Sequence, residues 1–132
     1  MRLALASALT LVLTVAQANT QPMSPDEFEA WATGQTLDYA TEGRVWGSEA
    51  YHPGRRVTDA DAGGPCRSGR WFPRGEAICF VYDDLPGEHC WRYWREGGTV
   101  LASPLNADSA ELPQTVSPAA GPLTCPGPDL GV

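Results

Sequence analysis

Residues 66–96 contain three short segments rich in β-branched and aromatic side chains. They read CRSGRWF, EAICFVYD and HCWRYWRE, and the turn-like sequences PRGE and DLPG separate them. Side chains along a strand alternate between two faces, whereas turns favour Gly, Pro and Asp. This region therefore predicts three antiparallel strands joined in a meander, and it biases the whole chain toward a mainly β fold.

The register of these strands predicts two different faces. If Arg74 and Gly75 form the first turn, Trp71 lies opposite Ile78. With an even-length second loop, one face becomes an aromatic core face that carries Trp71, Ile78, Phe80, Tyr82, Trp91 and Tyr93. The other face is mixed and carries Cys66, Arg70, Phe72, Ala77, Cys79, Val81, Cys90, Arg92 and Trp94. A small meander that closes fully or partly into a barrel would explain why both faces are partly apolar.

A short helix is predicted ahead of the strands, in the segment MSPDEFEAW. Ser24 can cap this helix, and Glu27 completes a capping box. Phe28 and Trp31 fall on one face and would dock the helix onto the domain. Gly34 supplies the end of the helix.

The start of the chain predicts a signal peptide, residues 1–18. Arg2 precedes an apolar run, and Ala16-Gln17-Ala18 matches a small-x-small cleavage site, so the exported chain would begin at Asn19. We expect a periplasmic or secreted protein with one β-rich domain over 19–103. Residues 104–132 are proline-rich and predict an extended tail that Cys125 pins.

The charge of the chain restricts its partners. It has no lysine, and loss of Arg2 would leave eight arginines against 16 acids, a formal charge of −8. Nucleic acid and anionic lipid require positive surface. We therefore expect no nucleic-acid partner and no membrane association after signal removal, whereas a basic protein partner is electrostatically allowed.

Four cysteines in an exported chain predict two disulfides. The favoured pairing is Cys79 with Cys90 and Cys66 with Cys125. The alternative joins Cys66 to Cys79 and Cys90 to Cys125. A two-residue loop between the last two strands would place Cys79 directly opposite Cys90, and the favoured four-residue loop, 84–87, would offset them diagonally.

No arrangement with the spacing of a catalytic or metal site is found, so no enzyme activity, metal or cofactor is predicted. His89 adjoins Cys90, but neighbours along a strand face opposite ways. The acids Asp83, Asp84 and Glu88 flank a turn, where acids usually serve turn geometry. Enzyme function is the least favoured class.

Arginines offer the best candidate ligand site. Five of them fall within 20 residues: Arg55, Arg56, Arg67, Arg70 and Arg74. Guanidinium groups suit carboxylate or phosphate ligands, and Arg70, Arg92 and Trp94 share the mixed face. The favoured interpretation is structural, with these arginines paired to the abundant acids.

The segments PGRRV, CRSGRWFPRGEAICFVYDDLPGEHCW and CPGPDLGV resemble a group of small exported proteins of alphaproteobacteria. The resemblance covers about residues 23–132. It implies that the cysteines and the end of the tail belong to the plan of the domain. It carries over no catalytic residue and no activity.

The sequence thus predicts a non-enzymatic structural or protein-binding module, for example an inhibitor of a basic periplasmic enzyme. The alternative is a small-ligand carrier with a site lined by Arg70, Arg92 and Trp94. A cavity inside the sheet would favour the carrier, and a filled interior would oppose it.

Overall fold

The computed structural model describes residue 12 and residues 21–125. One helix and eight strands lie in this part of the chain: α1 (Pro25–Ala32), β1 (Thr36–Thr41), β2 (Arg44–His52), β3 (Arg56–Asp61), β4 (Arg67–Arg74), β5 (Ala77–Tyr82), β6 (Leu85–Glu96), β7 (Thr99–Pro104) and β8 (Gln114–Pro118). No helix among these residues is long and apolar enough to cross a membrane. The predicted signal peptide lies outside the described residues apart from Val12, as do residues 126–132 of the predicted tail.

The strands form a closed barrel in which each strand pairs antiparallel with its neighbour in the chain. The last pairing joins β8 to β1, from Leu37 opposite Pro118 to Ala40 opposite Thr115. Closure leaves no unpaired edge strand. The predicted mainly β fold with a short N-terminal helix is confirmed, and the meander closes completely.

The helix begins as its capping residues predict. The Ser24 amide donates to Glu27 Oε2 at 2.7 Å, and the Glu27 amide donates to Ser24 Oγ at 3.2 Å. The helix ends at Ala32, and the chain reverses at Gly34, which has a φ of 87°. This left-handed conformation favours glycine.

Helix α1 plugs one end of the barrel through Phe28, which is completely buried. The Phe28 ring lies 4.5 Å from the ring of Tyr93, 5.3 Å from that of Trp71 and 5.5 Å from that of Tyr51. We call this end, which includes the turns after β2, β4 and β6, the plugged end. The open end includes the turns after β1, β3, β5 and β7.

The aromatic core face is confirmed, whereas the predicted register between β4 and β5 is wrong. Trp71 lies opposite Phe80 rather than Ile78, which is opposite Pro73. The first turn is Gly75-Glu76 because its first central residue needs a positive φ, and Gly75 has 56°. The shift is two residues, so every side chain keeps its predicted face.

The predicted four-residue loop between β5 and β6 is wrong. Tyr82 lies opposite Leu85, so the turn has two residues, and the register shifts farther along the pair. Gly87, with a φ of 89°, lies in the extra length of β6 that causes this shift. The result places Cys79 directly opposite Cys90, and the two form a disulfide with Cα atoms 3.9 Å apart.

The predicted domain boundary at residue 103 needs correction, because the closing strand β8 lies within the predicted tail. Pro113 precedes β8 and Pro118 is its last residue. Prolines at the two ends of a strand leave the backbone hydrogen bonds between them intact, although in the sequence they suggest that no strand is present. Strand β7 supplies the second partner of β8, beside β1.

The chain after β8 returns along the outside of the barrel, and we call residues 119–125 the strap. The Ala119 amide donates to the Thr36 carbonyl at 2.8 Å. The strap then shares a groove with Asp38 and Ser48 and reaches the β3–β4 loop. There Cys125 forms the second disulfide with Cys66, with Cα atoms 5.2 Å apart. The favoured cysteine pairing is therefore the one in the structure.

Candidate functional site

A pocket of about 170 Å³ lies at the open end of the barrel, opposite the helix plug. We call it the mouth pocket. Side chains from β1 to β6 line it, and most are aromatic or ionisable: Tyr39, Trp46, Gly47, Glu49, Asp59, Asp61, Arg67, Phe80, Tyr82, Leu85, His89, Trp91 and Tyr93. The volume equals about five or six water molecules at roughly 30 Å³ each.

Glu49 is the deepest acidic group of the pocket, and only 4% of it is exposed. Its Oε2 accepts from the Tyr51 hydroxyl and its Oε1 from the Tyr82 hydroxyl, both at 3.0 Å. Burial, reinforced by the charge of Asp59, raises the pKa of Glu49 to about 8. The carboxyl group is therefore mostly protonated at neutral pH in the free protein.

Three tyrosine hydroxyls extend this hydrogen-bond network into the barrel. The Tyr39 hydroxyl lies 2.6 Å from that of Tyr51 and 2.8 Å from that of Tyr93. When Glu49 is ionised, Tyr93 can donate to Tyr39, Tyr39 to Tyr51, and Tyr51 to the carboxylate. Burial raises the pKa of all three tyrosines, so they remain hydroxyl donors. The network can thus satisfy a buried negative charge.

Gly69 makes room for Tyr82, its cross-strand partner. A Cβ atom at residue 69 would lie 2.6 Å from Tyr82 Cδ1 and 2.5 Å from the Val81 carbonyl oxygen. Neither distance is tolerable between non-bonded atoms. The absence of a side chain at Gly69 therefore lets the Tyr82 ring lie where its hydroxyl reaches Glu49.

Arg67 is surrounded by three acids at the rim of the pocket. Its guanidinium lies 3.2 Å from Asp61, 3.5 Å from Asp59 and 4.0 Å from Asp84. Burial raises the pKa of Asp59 to about 6, although Arg67 opposes this shift. One cation thus faces three acids, and Glu49 lies below them, so the mouth pocket favours positive ligands.

A ring nitrogen of His89 in the pocket has no hydrogen-bond partner among the described residues. Nε2 of His89 is buried and makes no hydrogen bond within residues 21–125. The His89 ring lies 6.0 Å from that of Tyr82. If the ring proton is on Nδ1, Nε2 can accept a hydrogen bond from a ligand.

The open end also carries the exposed large apolar side chains of residues 21–125. Val45 and Trp46 follow the β1–β2 turn, and Leu105 and Leu112 lie in the β7–β8 loop. These four residues, the apolar rim, are between 37% and 59% exposed. Exposed large apolar side chains at one end of a molecule are typical of a binding surface.

The predicted ligand residues do not line the mouth pocket. Arg70 and Arg92 are exposed on strands whose buried neighbours, Trp71 and Tyr93, fill the interior. Arg70 lies opposite Val81. Arg92 is the next residue of β6 after Trp91, which lies opposite Ile78. The Trp94 indole donates to Glu96 Oε1 at 3.3 Å. These three side chains therefore lie on the outward face of the barrel wall and not in the mouth pocket.

Three of the five clustered arginines have acid partners. Arg55 pairs with Glu29 at 3.1 Å, and Arg74 pairs with Glu88 at 2.7 Å. Arg67 pairs with the acids at the mouth. Arg56 and Arg70 lie opposite each other on β3 and β4. The structural interpretation of the arginines thus holds for these three.

A group of potential metal-binding atoms lies on the outward face of the sheet, where the side chains of buried Cys79, exposed Glu88 and half-buried Cys90 converge. The two sulfur atoms are bonded to each other, and Glu88 is paired with Arg74. All four cysteines are in disulfides. This group therefore gives no support for a metal centre or a reactive thiol.

Comparison of the chain with protein-family models, with curated proteins and with solved structures found no match. The resemblance to exported alphaproteobacterial proteins therefore stays a prediction, and the site has to be interpreted from its own chemistry.

Sequence reasoning missed Glu49 and its hydrogen-bonding partners. The segment VWGSEAY contained the signal, because Gly47, Glu49 and Tyr51 alternate onto one face. An acid between inward-facing positions of a strand would be expected to have buried partners. Tyr51 lies on the same strand as Glu49, but Tyr82 comes from β5, so only the closed barrel shows that both hydroxyls meet the carboxyl group.

Proposed function

We propose that this protein is an exported, non-enzymatic module that binds a basic protein through the open end of its barrel. Its two disulfides indicate an oxidising, non-cytoplasmic compartment. Inhibition of a basic enzyme in the periplasm or outside the cell is one way in which such binding would act.

The proposal is carried by one observation, the coincidence of the apolar rim with the acidic mouth pocket. Val45, Trp46, Leu105 and Leu112 belong to the same end of the barrel as Asp59, Asp61 and Asp84, which outnumber Arg67. Apolar contact area provides affinity, and complementary charge orients the partner and speeds association. The excess of acids calls for a partner that is basic at its contact surface.

A carrier of small ligands is less well supported. Side chains from α1 and the strands fill the barrel interior, and the mouth pocket measures about 170 Å³. Pockets for drug-sized ligands usually measure about 300–1,000 Å³. The mouth pocket is large enough for one side chain of a protein partner.

The chemistry of the pocket also supports binding over catalysis. Both oxygens of Glu49 already accept hydrogen bonds from tyrosines. Burial raises the pKa of Tyr82 and Tyr93, which suppresses their use as nucleophiles.

The test is site-specific photo-crosslinking in an extract of the compartment in which the protein is made. A crosslinker at Leu112 reports on the open end, and one at Arg92, exposed on the barrel wall, is the matched control. We expect one basic protein to be crosslinked from Leu112 and not from Arg92. A Trp46→Ser substitution should reduce its yield several-fold by removing apolar contact.

Equal crosslinking from both positions would contradict docking through the open end, as would capture of an acidic partner. If one basic protein is crosslinked from Leu112 alone, the purified partner is assayed with and without the protein. A partner enzyme whose activity falls at stoichiometric protein would support inhibition, and an unchanged activity would leave binding as the function.

A further inference from the structure

We infer that the mouth pocket binds the side chain of a single lysine of the partner, with its ammonium group against the carboxylate of Glu49. This inference rests on the proposed function, because it names the group that enters the open end. It goes beyond that function in specifying one residue type and one acceptor.

The walls of the pocket suit an alkylammonium group. The Tyr39 ring lies 5.9 Å from that of Trp46 and 6.2 Å from that of Trp91. Aromatic faces attract cations within about 6 Å, and they also pack against methylene groups. A lysine side chain would place its four-carbon stem along these rings and its charge deeper in the pocket.

The floor of the pocket offers acceptors for the ammonium group. A carboxylate has about four lone-pair sites, and the tyrosines use one on each oxygen of Glu49. Nε2 of His89 is buried without a partner. An ammonium group has three N–H donors, Glu49 keeps about two open lone-pair sites, and His89 Nε2 offers another when its ring proton is on Nδ1.

The same geometry favours lysine over arginine. The planar guanidinium group binds carboxylates best as a two-pronged fork. Tyrosines from different strands already donate to both oxygens of Glu49. These hydrogen bonds obstruct a two-pronged guanidinium contact with the same carboxylate. The acids of the rim already surround the guanidinium of Arg67. A compact ammonium on a flexible stem requires only one open lone pair.

Binding should be coupled to ionisation of Glu49, whose pKa of about 8 in the free protein reflects burial. The ionisable groups around it come from all six strands that line the pocket: Tyr39 from β1, Tyr51 from β2, Asp59 and Asp61 from β3, Arg67 from β4, Tyr82 from β5, and His89 and Tyr93 from β6. An ammonium favours the ionised carboxylate, so binding should tighten as the pH rises from 6 to 9. Lysine itself remains charged until about pH 10.4.

The experiment is an NMR titration of the folded, disulfide-bonded protein, observing the indole N–H signals of Trp46 and Trp91. The probe is Nα-acetyl-lysine methylamide, and its Nε-acetylated form is the uncharged control. We expect saturable shifts of both signals with the charged probe, weaker binding of the arginine analogue, and no binding of the acetylated form. A response to the acetylated probe equal to that of the charged one would overturn the inference.

Two substitutions separate the pocket from general charge. Glu49→Gln should weaken binding of the lysine probe at least about tenfold, because it removes the buried acceptor charge. Glu88→Gln removes the same charge from the outer surface and should leave binding unchanged. The amide spectrum of each variant shows that it is folded. Equal affinity of wild type and Glu49→Gln would overturn the assignment.

A free amine and a protein side chain share this chemistry, so butylamine is titrated alongside a basic peptide that contains one lysine. Tighter binding of the peptide supports a protein source, because only the peptide can contact the apolar rim. Equal affinity overturns that source. If crosslinking from Leu112 persists while no lysine probe binds, the lysine inference fails and the proposed function stands. If lysine probes bind and no partner is crosslinked, the proposed function fails instead.

Discussion

Glu49 shows how one residue can combine a structural cost with the binding role proposed for it. A carboxyl group inside a barrel of aromatic side chains loses its hydration, and the tyrosine hydroxyls return only part of that loss. The residue therefore holds a proton that an exposed glutamate would release. A buried acid with satisfied oxygens and a path to the surface is suited to receive a cation from outside.

The stability of the fold should fall as the pH rises through the range set by Glu49. Its pKa is raised from 4.5 to about 8, so between these values the folded chain holds a proton that the unfolded chain has lost. Stability is then greatest below pH 4.5 with respect to this group and declines until about pH 8. Asp59, raised from 3.8 to about 6, acts in the same direction over a lower range.

Urea denaturation at pH 5 and pH 8.5 measures this effect. At about 1.4 kcal/mol for each pKa unit, the wild type should lose roughly 2–5 kcal/mol between the two conditions. Glu49→Gln should lose much less, since the amide does not titrate. Parallel pH profiles for the two proteins would show that Glu49 is not the buried acid responsible.

Adding a side chain at Gly69 should destabilise the packing around Glu49. Gly69→Ala would force Tyr82 away from residue 69 and from Glu49, and overpacking of this kind typically costs about 1–3 kcal/mol. Gly98, around which an added Cβ meets nothing within 4 Å, is the matched control. Urea denaturation should separate the two alanine variants, and similar stabilities would contradict the close approach of Tyr82.

Among the helix and strands, the sequence predicts those features that depend on residues close together in the chain. The capping box of α1 is local, and the aromatic face of β4–β6 survives a register error of two because side chains alternate. The predicted four-residue loop between β5 and β6 is wrong because Pro86 and Gly87 resemble loop residues yet lie within β6. Strand β8 was missed because prolines at its ends resemble breakers.

The contribution of α1 can be measured through its plug residue. Phe28→Ala should reduce the free energy of unfolding by about 3–5 kcal/mol, since the ring is completely buried against three others. Trp31→Ala on the same helix should cost less, because Trp31 is only partly buried. Thermal melts of both variants check the order, and a larger loss at Trp31 would refute the plug.

For the whole molecule, the site could not be predicted because it requires closure. Glu49, Asp59 and Tyr82 belong to three strands, and no spacing along the chain indicates that they meet. The predicted ligand residues Arg70, Arg92 and Trp94 share a face of the sheet, but a closed barrel turns that face outward. Composition shows that the chain is acidic, whereas only the topology shows that Asp59, Asp61 and Asp84 meet around Arg67.

The two disulfides should differ in their contribution. Cys66–Cys125 closes a loop with a sequence separation of 59, and Cys79–Cys90 one of 11. Loop entropy predicts a loss of about 4 kcal/mol for replacing the first pair by serine and about 3 kcal/mol for the second. Denaturation of the two double variants measures the difference. A greater loss from the shorter loop would mean that packing outweighs chain entropy.

Pairing of β8 with β1 also has a consequence for biosynthesis. A chain made from its N-terminus holds α1 and seven strands before Gln114–Pro118 exists. Until then β1 and β7 each offer an unpaired edge to other nascent copies, which invites aggregation. Five late residues thus remove both unpaired edges of the sheet.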